Sequence, residues 1–119
     1  MKAIINGKVF TVTGQTYDKA TVLIENGKIK AVGPDVQVPS DAEIIDAAGC
    51  WVTPGLIDCH VHLGYGGLSP DTPEVEQGMA IAMQMREFLK YGITTVRSMG
   101  TKDDCDIKMR NLIASGYLT

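Results

Sequence analysis

The 119 residues carry 11 basic and 14 acidic side chains, a net charge of −3, and no block of basic residues. That balance argues against nucleic acid and anionic membrane as partners. No stretch approaches the roughly 20 apolar residues of a membrane span, and Met1 to Gly7 is too short an apolar run for a signal peptide. Cys50, Cys59 and Cys105 form no Cys-x-x-Cys pair, which suits a reducing compartment better than a disulfide framework. The chain is therefore expected to be cytoplasmic.

Short antiparallel strands are expected up to about Val52. Lys2 to Ile5 and Val9 to Val12 are β-rich and flank Asn6-Gly7. Thr21 to Glu25 and Ile29 to Val32 flank Asn26-Gly27, the better of the two hairpin signals. Asn and Gly tolerate the positive φ that such turns require. Gly33-Pro34 and Pro39-Ser40-Asp41 break the run, and Glu43 to Asp46 and Trp51 to Thr53 supply two further extended pieces. The pattern predicts a small β-sandwich or open β-barrel. Thr53-Pro54-Gly55 is a natural boundary, because proline resists a central strand and glycine permits a bend. Residues 1–54 and 55–119 are thus expected to be separate domains.

The stretch Gly55 to Gly64 holds both histidines of the protein, His60 and His62. In a strand, side chains alternate faces. Asp58, His60 and His62 would share one face, and Ile57, Cys59, Val61 and Leu63 the other, as in a strand backed by helices. Two readings are open: histidines satisfied by hydrogen bonds in a buried strand, or two imidazoles offering nitrogen to a divalent metal. The His-x-His spacing at a strand end, before Gly64, Gly66 and Gly67, favours the metal. The glycine-rich segment 64–70 lacks both phosphate-loop patterns; it is either a connector or a loop that touches substrate.

A helix is expected from about Pro73 to Tyr91. Asp71 or Thr72 would cap it, and Gly78, Ile81, Ala82, Met85, Phe88 and Leu89 would form its apolar face, widened by Met79 and Met83. Ile93 to Met99 returns as a strand, completing a βαβ unit with parallel strands. A second helix, about Asp103 to Ser115, would bury Cys105, Met109, Leu112 and Ile113.

Pro54-Gly55-Leu56-Ile57-Asp58-Cys59-His60-Val61-His62-Leu63 resembles the first-strand signature of the amidohydrolase superfamily of metal-dependent hydrolases. Gly92-Ile93-Thr94-Thr95-Val96-Arg97-Ser98-Met99-Gly100 resembles its second barrel strand. The Thr-Thr-Val-Arg form is most similar to the imidazolonepropionase-like and Xaa-Pro-dipeptidase-like branch. The resemblance implies an accessory β-domain over 1–54, completed in the family by C-terminal strands. It implies over 55–119 the first two strand–helix pairs of a (β/α)8 barrel, a fold of about 250 residues.

By the residue match, His60 and His62 would be metal ligands, most readily of zinc. The family's other ligands and its base lie on later strands, so no catalytic or cofactor-binding residue is assigned here. With two of the usual three protein ligands, the metal would be weakly held or absent. Asp58 lies roughly 13 Å along the strand from His62, at about 3.3 Å per residue, and is expected in the barrel floor or as a charge partner for Arg97.

The expected function is therefore a truncated, inactive amidohydrolase of C–N bonds. The complete enzyme would act on a small-molecule amide or peptide through metal-activated water. A non-catalytic β-plus-βαβ association module and one part of a split hydrolase are the alternatives. Exposed strand edges would favour a homo-oligomer.

Overall fold

A computed structural model describes residues 1–65, 68–69 and 71–118. The chain divides into two compact units, Met1–Pro54 and Gly55–Thr119, each a mixture of what its turn chemistry and periodicity allow.

The first unit is one five-stranded sheet of β1 (Lys2–Phe10), β2 (Thr16–Glu25), β3 (Lys28–Gly33), β4 (Glu43–Asp46) and β5 (Trp51–Val52). The order is β3-β2-β1-β4, with β5 also on β1. The β2–β3 hairpin turns at Asn26 and Gly27, both at positive φ (51° and 73°), as the sequence pattern requires. Asn6-Gly7 does not turn the chain. Asn6 takes φ 56° inside β1, and the pairing with β2 slips there as a bulge.

Two bonds show why the bulge is kept. Asn6 Nδ2 donates to Asp46 Oδ1 at 3.1 Å, and the Asn6 backbone carbonyl accepts the Gly49 amide at 2.9 Å. The crossing segment between β4 and β5 is tied to the bulge, so both strands pair along β1. They do so in parallel, not antiparallel as expected. The Ala48 amide and then the Asn6 side chain hold the Asp46 carboxyl below the usual carboxylate range. Gly7 is required for space: a Cβ there would meet Val52 Cγ2 at 2.6 Å. Val9, Ala20 and Val22 form the core cluster of this unit, and Ala3 and Leu23 are buried as well.

In the second unit β6 (Leu56–Val61) and β7 (Ile93–Ser98) pair in parallel, with α1 (Glu74–Lys90) between them in sequence. A short 3-10 turn, Lys102–Asp104, leads into α2 (Cys105–Ala114). Val61, Leu63, Ile81, Cys105 and Met109 form the core, with Ala82, Met85, Phe88 and Val96 packed on it. The two helices thus cover only the upper part of β6. Ile57 and Cys59, expected on the covered face, are exposed.

The helix faces are narrower than expected. Met79, Met83 and Leu89 of α1 are exposed, and so are Leu112 and Ile113 of α2. On α2 the core takes only Cys105 and Met109, one turn apart. The caps differ too. Pro73, not Asp71 or Thr72, occupies the cap position of α1, without a side-chain cap bond. Its carbonyl accepts the Gln77 amide, while Gln77 Nε2 donates to the Thr72 carbonyl at 3.0 Å. Of the glycine-rich segment, Gly66, Gly67 and Pro70 lie outside the described residues.

Candidate metal centre

His60 is the penultimate residue of β6 and His62 lies one step past its end. Val61 between them and Leu63 after them point into the core. Alternation therefore sends both imidazoles to the other side, where they are exposed. Their ring centroids are 5.4 Å apart with an interplanar angle of 66°. His62 also meets the Tyr65 ring edge-on at 5.8 Å. Its Nδ1 lies 3.3 Å from the carbonyl oxygen of Gly100, on the turn that follows β7.

Asp58 is on the same strand but is not brought to the pair. Its Oδ1 accepts the backbone amide of His60 at 3.0 Å, so the carboxylate is folded back on its own strand. Among the described residues no ion pair joins it to Arg97, which corrects that expectation.

Asp106, at the start of α2, is engaged as well. Thr101 Oγ1 donates to its Oδ1 at 3.1 Å and the Ile107 amide donates to the same oxygen at 2.8 Å. The Ser98 hydroxyl beside it, then these two donors, hold its carboxyl below the usual range against partial burial. Ser98 Oγ is buried and short of full hydrogen-bond geometry, so the Ile107 and Thr101 contacts are the ones that secure Asp106. Cys105 is buried, which pushes its thiol up and makes it a core side chain rather than a thiolate ligand. Among the described residues no group of three or more His, Cys, Asp or Glu side chains is gathered.

The donor set is thus two neighbouring exposed imidazoles, one of them oriented through its second nitrogen. That suits zinc or another divalent metal with a taste for imidazole. Residues 51–117 match the model of the amidohydrolase family.

The chain belongs to the amidohydrolase family.

Members of this family are generally metal-dependent, with two metals. The chain is 37% identical over 99 residues to the imidazolonepropionase of Paraburkholderia phymatum, covering 78% of this chain and 24% of that one. It is 36% identical over 116 residues to the dihydroorotase of Pelobacter propionicus, covering 95% and 26%. Among solved structures it is similar to a Xaa-Pro dipeptidase with bound methionine in the active site. There the TM-score is 0.86 at 26% identity, over 99% of this chain and 31% of that one. Molinate hydrolase gives 0.81 at 29% identity, over 98% and 27%. The chain spans about a quarter of the length of the curated relatives it matches.

Two features of the candidate site carry little or no sequence signal. Tyr65 stands in a glycine-rich run, and its place three residues beyond the histidine pair is the one signal that marks it. The Gly100 carbonyl carries no side-chain signal at all.

Proposed function

We propose that His60 and His62 are the first two protein ligands of a divalent metal, zinc foremost, in a hydrolase of C–N bonds. The observation that carries this reading is the exposed imidazole pair at the end of β6, with His62 Nδ1 against the Gly100 carbonyl. A metal held there supplies Lewis acidity, activating water at neutral pH and polarising a carbonyl. The chain's own residues bind and orient: Val61 and Leu63 fix the strand in the core, and the imidazoles project from it.

The substrate class is a small amide, dipeptide or cyclic amide. Support comes from the imidazolonepropionase, dihydroorotase and Xaa-Pro dipeptidase among the similar proteins. Residues 1–54 are on this reading the accessory β-domain, a small sandwich or open barrel finished by strands from elsewhere. Residues 55–119 are the first two strand–helix pairs of a (β/α)8 barrel, in keeping with the parallel pairing of β6 and β7. A reducing, cytoplasmic setting belongs to the same proposal, supported by three free cysteines.

Calorimetric titration of the 119-residue chain with zinc tests the site. Weak binding is expected, fading on acidification because both imidazoles must be neutral to ligate. The His60→Ala, His62→Ala double variant should show none. Equal affinity in the double variant would place the metal elsewhere and remove the basis of the proposal.

Self-association is part of the same reading. Among the described residues β7 pairs only with β6, leaving its second edge without a strand. Beside it runs a groove of about 720 Å3 lined by Met85, Phe88, Ile93, Val96 and Ile113 among others. An open strand edge next to apolar surface is a template for pairing with a second copy. Analytical ultracentrifugation at micromolar concentration should report a dimer or larger; a monomer throughout would reject self-association.

A further inference from the structure

We infer that the turn after β7 fixes the tautomer of His62, so that Nδ1 keeps the proton and Nε2 is the nitrogen left for a metal. Thr101 is the positioning residue that holds this turn. The inference rests on the metal reading for its purpose, but not for its geometry.

A backbone carbonyl only accepts hydrogen bonds. The 3.3 Å contact between His62 Nδ1 and the Gly100 oxygen therefore calls for hydrogen on Nδ1. In neutral imidazole the other nitrogen then carries a free lone pair. A metal-ligating histidine is commonly oriented in this way, by donating its second N–H to a carbonyl.

The Gly100 carbonyl is pinned from both sides. Before it, the Met99 amide donates to the Val61 carbonyl at 2.8 Å, tying the turn to the strand that carries the histidines. After it, Thr101 Oγ1 accepts the Asp106 amide and donates to Asp106 Oδ1, both at 3.1 Å. That reciprocal pair clamps the turn to the start of α2 and satisfies a donor of the helix's first turn. Gly100 itself sits at φ 117°, a conformation that glycine adopts without strain.

His60 supplies the contrast within the same site. Its ring makes no hydrogen bond among the described residues and meets only the edge of His62. One imidazole is thus set before a metal arrives, and the other has its orientation to find.

The experiment is a long-range 1H–15N correlation spectrum of the metal-free chain, above the pH range where imidazoles titrate. Histidine side chains in water prefer hydrogen on Nε2. His60 should show that pattern and His62 the reverse, with hydrogen on Nδ1. Thr101→Val, which removes both hydroxyl bonds, should return His62 towards the His60 pattern and weaken zinc binding about tenfold. Thr101→Ser should restore both.

An Nε2–H pattern at His62 in the unaltered chain would overturn the inference whether or not any variant folds. So would a Thr101→Val spectrum in which His62 keeps hydrogen on Nδ1. Zinc that fails to bind while His62 holds the Nδ1–H pattern supports the tautomer and rejects the metal reading alone. Zinc bound at a His62 whose hydrogen is on Nε2 does the opposite.

Discussion

No hydrolysis of a Xaa-Pro dipeptide, dihydroorotate or a related cyclic amide is expected from the 119-residue chain, even with zinc in excess. The expectation comes from the donors and the acids in the second unit. A catalytic zinc site ordinarily has three protein ligands and one open position. On the proposed reading His60 and His62 would supply two, and among the described residues no third His, Cys, Asp or Glu joins them.

A general base is wanted as well, with a pKa near the working pH. Asp58 is bound to the His60 amide, and Asp106 is held as a weakly basic carboxylate by its donors. Enzymes of ordinary efficiency exceed the uncatalysed rate at least about 10⁶-fold. A metal held by two imidazoles, with neither of these carboxylates free to act as base, should give no signal above free zinc. Steady-state assays of purified chain, alongside His60→Ala, are the check. Turnover that follows the chain through purification and is lost in His60→Ala would show a complete site within these residues.

What was legible in the sequence was whatever depended on residue type and period together. His-x-His at a strand end is of that kind, because alternation fixes the shared face before any contact is known. The βαβ order was legible for the same reason, since a helical period between two β-rich runs leaves parallel pairing as the simplest answer. Asn6-Gly7 shows where this stops. The pair is suited to positive φ, but a hairpin and a bulge ask for it equally. Only the partners decide, here Asp46 and Gly49, some forty residues away.

The same limit applies to the helix faces. Met79, Met83, Leu112 and Ile113 have a spacing compatible with burial, but burial requires something opposite them, and periodicity is silent about that. At the candidate site, the orientation of His62 depends on a carbonyl. Every residue has one, so no motif could have marked Gly100.

Ile81→Ala should cost about 2–5 kcal/mol, the range for emptying a buried aliphatic position, and it should fall on the unit that holds the histidines. Ile81 is 0% exposed and is the largest fully buried side chain among the described residues. It packs in the cluster of Val61, Leu63, Cys105 and Met109. It also lies against Gly64, where an added Cβ would come within 3.3 Å of its Cγ1. The side chain therefore joins α1, α2 and the end of β6 at one point. Whole domains are stable by only about 5–15 kcal/mol, so the loss is a large share for a unit this small.

Met83, on the same helix and 70% exposed, is the control: Met83→Ala should stay within about 0.5 kcal/mol. The single tryptophan, Trp51, lies in the first unit, so its fluorescence is the wrong probe. Hydrogen exchange across Leu56–Val61 and Ile93–Ser98 reads the second unit directly. Protection there should drop in Ile81→Ala while that of Lys2–Phe10 and Thr16–Glu25 holds. Equal protection in Ile81→Ala and Met83→Ala would mean that the cluster does not hold β6 in place. The carbonyl contact of His62 would then have to survive on the turn alone, because the Val61 carbonyl that anchors Met99 belongs to the strand this core secures.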